Sequence, residues 1–125
     1  MKIRVLIAED EPLSLQNLSG QMRDLLGADA LIEGVANGRE AVERARQIQP
    51  QLVLMDIEMP VMNGYDAARK IRGLDDPQKA NIPIIAMTAN AFTEDRQVAL
   101  DAGMNDHIAK PINMNVLVPT LRKYL

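Results

Sequence analysis

Four short strand-like runs in this sequence each lead into a side chain able to do chemistry. Ile3–Ala8 is followed by Glu9 and Asp10, Leu52–Met55 by Asp56, Ile82–Met87 by Thr88, and Asp106–Ala109 by Lys110. Brought to one place, these carboxylates, hydroxyl and ammonium would form an oxygen site for a hard divalent cation, with a fixed counter-charge. A carboxylate there can attack a phosphoryl group and become an aspartyl phosphate. Phosphoryl transfer asks mainly for positioning and charge neutralisation, which a divalent cation and Lys110 would supply.

Such a cluster is costly without a purpose. Two like charges about 4 Å apart repel by roughly 4 kcal/mol at an effective dielectric near 20. Taken singly, Asp56 reads as a strand-end aspartate, Asp10 as an acid near a helix N-terminus, Thr88 as an ordinary β-former and Lys110 as a surface lysine. Their joint placement at four strand ends favours a functional site.

The elements that would bring them together follow from the pattern. The four runs and Leu31–Ala36 are short and largely rich in β-branched residues. Helical character follows each: from residue 12, with Gly27 able to end the first helix, then at 38–48, 64–74, 91–103 and 113–125. Pro12 suits a first helical turn, Asn37-Gly38 a turn before the second helix, Pro50 its stop, and Asn113 an N-cap. Leu74–Asn81, with Asp75-Asp76-Pro77, reads as a loop and as the segment best placed to be mobile. Alternating strands and helices with right-handed crossovers give an α/β fold, a parallel sheet covered on both faces. The first, third and fourth runs are almost wholly apolar, as central strands should be. The second carries Glu33-Gly34 and the fifth Asp106-His107, as edge strands would. The expected architecture is therefore a flavodoxin-like (βα)5 doubly wound sheet of order 2-1-3-4-5, with ligands outside the carboxyl ends of the strands.

Composition narrows the classes of function. A chain of 125 residues is expected to be one domain, residues 1–125, with 47% apolar residues and no interrupting linker or repeat. No cysteine is present and histidine occurs once, which excludes disulfides, thiolate zinc and multi-histidine metal sites. The net charge of −3, without a basic run, argues against direct nucleic-acid binding. The apolar runs fall far short of the roughly 20 residues of a membrane span, and the chain enters its first strand without a visible leader, so a soluble cytoplasmic protein is the expectation.

The segments Leu6-Ile7-Ala8-Glu9-Asp10, Asp56-Ile57-Glu58-Met59-Pro60-Val61-Met62-Asn63-Gly64, Ile84-Ile85-Ala86-Met87-Thr88-Ala89 and Ala109-Lys110-Pro111, in register along the whole chain, resemble the signatures of response-regulator receiver domains of two-component signalling. The resemblance implies that Asp56 is the phosphoacceptor and that Mg²⁺ is the cofactor. Asp10, Asp56 and the Glu58 backbone carbonyl would ligate the ion, and Glu9 would act through water. Lys110 would pair with the phosphoryl oxygens, Thr88 would move to bond them, and Lys110-Pro111 would be a cis peptide. Gly64 would suit a tight turn. Such a domain is a signalling switch rather than an ordinary enzyme, and it catalyses its own Mg²⁺-dependent phosphorylation and dephosphorylation.

Met87-Thr88-Ala89-Asn90-Ala91 and Gly103–Ile112 look most like receivers of hybrid sensor histidine kinases and phosphorelays. The implied partner is a histidine kinase or a histidine-containing phosphotransfer domain, and a weak homodimer is compatible with it. Position 107, commonly an aromatic switch residue in the family, is histidine here, so a switch and a plain edge-strand histidine both stand as readings. Glu58 and Asn90 fall where the family tunes phosphate lifetime.

Other readings were weaker. A haloacid dehalogenase-type phosphatase wants its nucleophile after the first strand with a second Asp two residues on, whereas Asp10 is followed by Glu11-Pro12. A flavodoxin wants a phosphate loop where this chain has Glu9-Asp10-Glu11. A phosphate-independent pseudo-receiver would have no use for an intact Asp10, Asp56, Thr88 and Lys110. On the first helix, Leu18, Met22 and Leu25 form an expected inward stripe. Leu13 falls on the opposite side and Leu15 at the margin of the stripe; neither fits the core well, and both sit beside the acidic site, as noise or as a docking surface for the partner's helices. Met55, Met59, Met62, Met87 and Met104 read as core filler.

Overall fold

A computed structural model of the chain describes residues 3–89 and 93–125, with the side chains of 93–95 left undescribed. Five strands, β1 (Arg4–Ala8), β2 (Leu31–Val35), β3 (Leu52–Asp56), β4 (Ile84–Thr88) and β5 (Asp106–Ala109), form one parallel sheet in the order β2-β1-β3-β4-β5. This is the expected flavodoxin-like topology. Its helices are α1 (Pro12–Leu26), α2 (Gly38–Ile48), α3 (Gly64–Arg72), α4 (Pro77–Ala80), α5 (Thr93–Asp101) and α6 (Met114–Tyr124).

The sheet divides the core in two because strand side chains alternate between faces. Leu6, Ala8, Val53, Met55, Ile84 and Ala86 pack with Ala41, Ala45, Ala67, Ala68 and Ile71 of α2 and α3. Val5, Ile7, Leu52, Leu54, Ile85 and Met87 pack on the other face with Leu18 and Met22 of α1 and Leu117 and Leu121 of α6. Central strands β1, β3 and β4 therefore need apolar residues on both sides, which is why their sequence shows no alternation.

Helix boundaries follow local chemistry. The Glu11 side chain caps α1 with Pro12 at its first position, and Gly27 ends it at φ 95°. The side-chain oxygens of Asn37, Asn63 and Asn113 accept amide bonds from Glu40, Asp66 and Asn115, capping α2, α3 and α6. Asn37-Gly38 is thus a cap and first helical residue rather than a separate turn. The left-handed Gln49 (φ 48°), just before Pro50, closes α2.

Three expectations need correction. The segment 74–81 is not wholly a loop: Asp76 caps a single turn, Pro77–Ala80, with its side chain accepting from the Gln78 amide at 2.9 Å. The inward stripe of α1 runs through Leu15, Leu18, Met22 and Leu26, whereas Leu25 is exposed. Leu15 belongs to the core margin, since a Cβ on Gly34 would lie 2.8 Å from its Cδ2. Leu13 does project outward, at 61% exposure. No helix among the described residues is long and apolar enough to cross a membrane.

Candidate functional site

The carboxyl ends of β1, β3, β4 and β5 open into a cleft of about 900 Å³. Glu9, Asp10, Asp56, Glu58, Thr88 and Lys110 all line it, so the residues singled out at the strand ends converge as expected. Glu9, Asp56 and Thr88 are buried, and Asp10 is exposed. Register explains the meeting. Ala8 pairs with Met55, Asp56 with Met87, and Thr88 with Ala109, so the residues that follow emerge at one edge.

Lys110 Nζ lies 2.5 Å from Glu9 Oε1 and 3.1 Å from Asp56 Oδ2. Burial pulls its ammonium towards deprotonation, but the hydrogen bonds and charges of Glu9 and Asp56 prevail and hold its pKa above the ordinary lysine value. The Lys110–Pro111 peptide is cis, and the Lys110 amide donates to the Thr88 carbonyl at 2.7 Å. The other Asp56 oxygen, Oδ1, accepts the Glu58 amide at 3.3 Å. Glu9 Oε2 accepts the Glu11 amide at 3.3 Å, so both of its oxygens have protein donors.

Glu9, Asp10 and Asp56 each offer a carboxylate oxygen, and these atoms lie within 4.8 Å of one another. An all-oxygen set of three acids, relieved by a single lysine, fits a hard divalent cation.

The loop between Asp56 and α3 is held by close backbone approaches. The Gly64 amide donates to the Ile57 carbonyl and the Gly38 amide to the Met62 carbonyl, both at 2.9 Å. A Cβ on Gly38 would lie 2.2 Å from the Met62 oxygen, and one on Gly64 2.3 Å from the Asp56 oxygen. Gly64 is therefore required by contact with the backbone, as the first residue of α3, rather than by a turn of its own. Between them Val61 sits at φ 67° in a γ-turn closed by the Met62 amide on the Pro60 carbonyl at 2.7 Å. That conformation is strained, the more so for a β-branched residue.

His107 lies elsewhere. It is half-buried on β5 and lines a separate hollow of about 230 Å³ with Arg96, Asp106, Lys123 and Tyr124. Asn90, the other residue expected to tune phosphate lifetime, falls outside the described residues. Three cleft residues were missed from the sequence, Glu11, Ser14 and Tyr65. The bond from the Ser14 side chain, then the amides of Ser14 and Leu13, hold the Glu11 carboxyl below the usual glutamate range. The signal was present: the residue before an N1 proline is the N-cap, and a cap at the end of β1 must stand beside Glu9 and Asp10.

The response regulator receiver domain model matches residues 5–122, and the chain belongs to that family. It is 36% identical over 124 residues to the signal transduction histidine-protein kinase BarA of Escherichia coli, covering 99% of this chain and 13% of that protein. Among solved structures, a sensor histidine kinase receiver domain from Pseudomonas aeruginosa, with magnesium coordinated in its active site cleft, matches at TM-score 0.86 and 35% identity. The match covers 99% of this chain and 98% of that one. Chemotaxis protein CheY4 of Vibrio cholerae matches at TM-score 0.87 and 28% identity over 100% of both chains. The chain thus spans a small fraction of BarA but the full length of these receiver structures.

Proposed function

We propose that this receiver domain, residues 1–125, is a phospho-accepting switch of a phosphorelay. In this reading Asp56 takes a phosphoryl group from a phosphohistidine on a histidine kinase or histidine phosphotransfer domain, and the modified domain presents a changed partner surface. The observation that carries it is the pairing of Asp56 Oδ2 with Lys110 Nζ at 3.1 Å, beside the carboxylates of Glu9 and Asp10.

An Asp56 carboxylate oxygen would form the new P–O bond as the P–N bond breaks, and the electron pair would return to the imidazole nitrogen. Lys110 would balance the added phosphoryl charge, and the Thr88 hydroxyl would donate to a phosphoryl oxygen. Asp10, Asp56 and the Glu58 backbone carbonyl would hold Mg²⁺. Glu9 would act through water. When bound, Mg²⁺ neutralises charge on the phosphoryl and carboxylate oxygens. Return to the resting state would be hydrolysis of the aspartyl phosphate in the same cleft, making the domain a catalyst of its own switching. A cytoplasmic location goes with this reading. The exposed Leu13, beside the cleft mouth, would meet the partner's helices.

The test is intact-mass measurement after incubation with a small-molecule phosphodonor. One phosphoryl group per chain should appear with Mg²⁺, vanish with EDTA, and be absent in Asp56→Asn. Equal labelling of wild type and Asp56→Asn would overturn the assignment.

A further inference from the structure

The loop from Ile57 to Asn63 is pinned at both ends. The Ile57 amide donates to the Met87 carbonyl at 3.1 Å, which carries the pairing of β3 with β4 one residue past Asp56. The Ile57 carbonyl in turn accepts the Gly64 amide, and the Met62 carbonyl accepts the Gly38 amide, both at 2.9 Å. A Cβ on either glycine would lie within 2.3 Å of a main-chain oxygen, so neither anchor has room to give. Between the anchors the chain must reverse, and the Pro60 ring holds its own φ at about −65°. The reversal falls on Val61, which takes φ 67°.

The valine side chain does not account for that choice. Val61 is 76% exposed and belongs to neither core cluster, so no packing offsets the strain. Glycine would adopt the turn freely. What the turn does is bring Glu58, Met59 and Pro60 to the cleft, where they form a wall with Asn63. The Glu58 amide donates to Asp56 Oδ1 across the same corner at 3.3 Å. Strained backbone persists where surrounding structure holds it, and it gathers at ligand clamps.

We propose that the left-handed turn at Val61 positions the divalent-cation site. The sign of φ at residue 61 sets where the 58–60 wall, and with it the Glu58 carbonyl, stands relative to Asp56. The proposal deepens the reading of the cleft as a Mg²⁺ site and rests on it. Val61 is a positioning residue and takes no part in coordination; it acts through the three peptide units between it and Glu58. A negative φ there would open the bond from the Met62 amide to the Pro60 carbonyl, which closes the turn at 2.7 Å. The wall would then leave its place, and Asp10 and Asp56 would lose the third protein oxygen of the site.

Three substitutions vary φ at this one exposed position. Val61→Gly permits the positive value freely, Val61→Ala keeps the strain, and Val61→Pro forbids it. Proline deletes no backbone hydrogen bond, since the Val61 amide donates none among the described residues. Urea unfolding should place Val61→Gly above Val61→Ala in stability, the reverse of the usual order of these two residues. Titration with MgCl₂, followed on the amide resonances of residues 56–59, reads the site without any phosphodonor. Displacing a group that orients a metal ligand weakens binding by roughly 10- to 100-fold. The Kd should rise by that factor in Val61→Pro and stay at the wild-type value in Val61→Gly and Val61→Ala. A merely structural role would lower the stability of Val61→Pro and leave its Kd alone. If Val61→Pro does not fold, Gly38→Ala, which shifts Met62 from the α2 side, should raise the Kd in its place. An unchanged Kd in whichever of these two variants is measured, or Val61→Ala more stable than Val61→Gly, would overturn the proposal. If magnesium moves no resonance even in wild type, the reading of the cleft as a Mg²⁺ site fails, and the proposal falls with it.

Discussion

Gly64 stands against the backbone of Asp56, with room for a hydrogen and nothing larger: a Cβ on residue 64 would lie 2.3 Å from the Asp56 carbonyl oxygen. The end of β3 and the start of α3 are therefore pressed together beneath the carboxylate. Gly64→Ala should push them apart, at a cost of about 1–3 kcal/mol in urea unfolding. It should also slow phosphorylation of Asp56, because the backbone carrying the acceptor must shift. Stability unchanged within experimental error would show that the contact yields freely.

Thr88 is buried at the end of β4, beside β5. Driving a two-state element from 1:99 to 99:1 needs about 5.5 kcal/mol of differential interaction. Charge-assisted hydrogen bonds are worth roughly 1.5–3 kcal/mol each, so the Thr88 hydroxyl and the Lys110 ammonium with one backbone amide would suffice. Thr88→Ala should accept a phosphoryl group yet show much smaller amide chemical-shift changes across α5 and β5. Changes as large as in wild type would remove Thr88 from the switch.

Asp106 carries a prediction in pH. Burial raises its pKa, but the His107 amide at 2.9 Å and the Lys123 ammonium and Tyr124 hydroxyl, both at 3.3 Å, outweigh it, and the net effect is a lowered pKa. A carboxylate with a depressed folded-state pKa stabilises the fold above its unfolded pKa and loses that contribution as pH falls through the folded value. Asp106→Asn should therefore be less stable than wild type by about 1 kcal/mol at pH 7. The difference should close as pH drops below about 4, the region of the ordinary aspartate pKa. A gap that stays constant across that range would contradict it.

Arg72 bolts the end of α3 to two other segments, 80–82 and 103–105. Its guanidinium donates to the carbonyls of Gly103, Ala80 and Ile82 and to Asn105 Oδ1, all at 2.7–2.8 Å. Asn105 Oδ1 also accepts the Ile84 amide at 2.8 Å. Burial lowers the pKa of Arg72 without leaving it short of partners. Arg72→Met should strand those carbonyls and destabilise the domain by about 2–4 kcal/mol, and Arg72→Lys should recover little because one ammonium cannot span them. Full rescue by lysine in urea unfolding would reduce the bolt to a single charge.

The site was legible for a physical reason: in a parallel sheet the carboxyl ends of strands must share one edge, so Glu9, Asp10, Asp56, Thr88 and Lys110 could be placed from strand order alone. Arg72 could not, because its partners lie on segments that only the folded chain brings together. Leu25 was mistaken for Leu26 as a core residue because neighbours on a helix differ by about 100° and the stripe drifts at 3.6 residues per turn. The single turn Pro77–Ala80 is too short for any periodic pattern, although Asp76-Pro77 carried its cap and first residue. Gly64 was recognised as necessary for the wrong reason, since close backbone approach leaves no trace in local sequence.

Because β1, β3 and β4 are apolar on both faces, sliding one of them by a residue would exchange one buried hydrophobe for another. Inside-outside patterning, which fixes register in half-exposed strands, is nearly silent here. The strand ends are not silent. A one-residue slip of β3 would carry Asp56 into the place of Met55, wholly buried between the sheet and the α2 and α3 layer, and strand a carboxylate in hydrocarbon. The acids that line the cleft thus also act as alignment marks, telling β1 and β3 where to stop during folding.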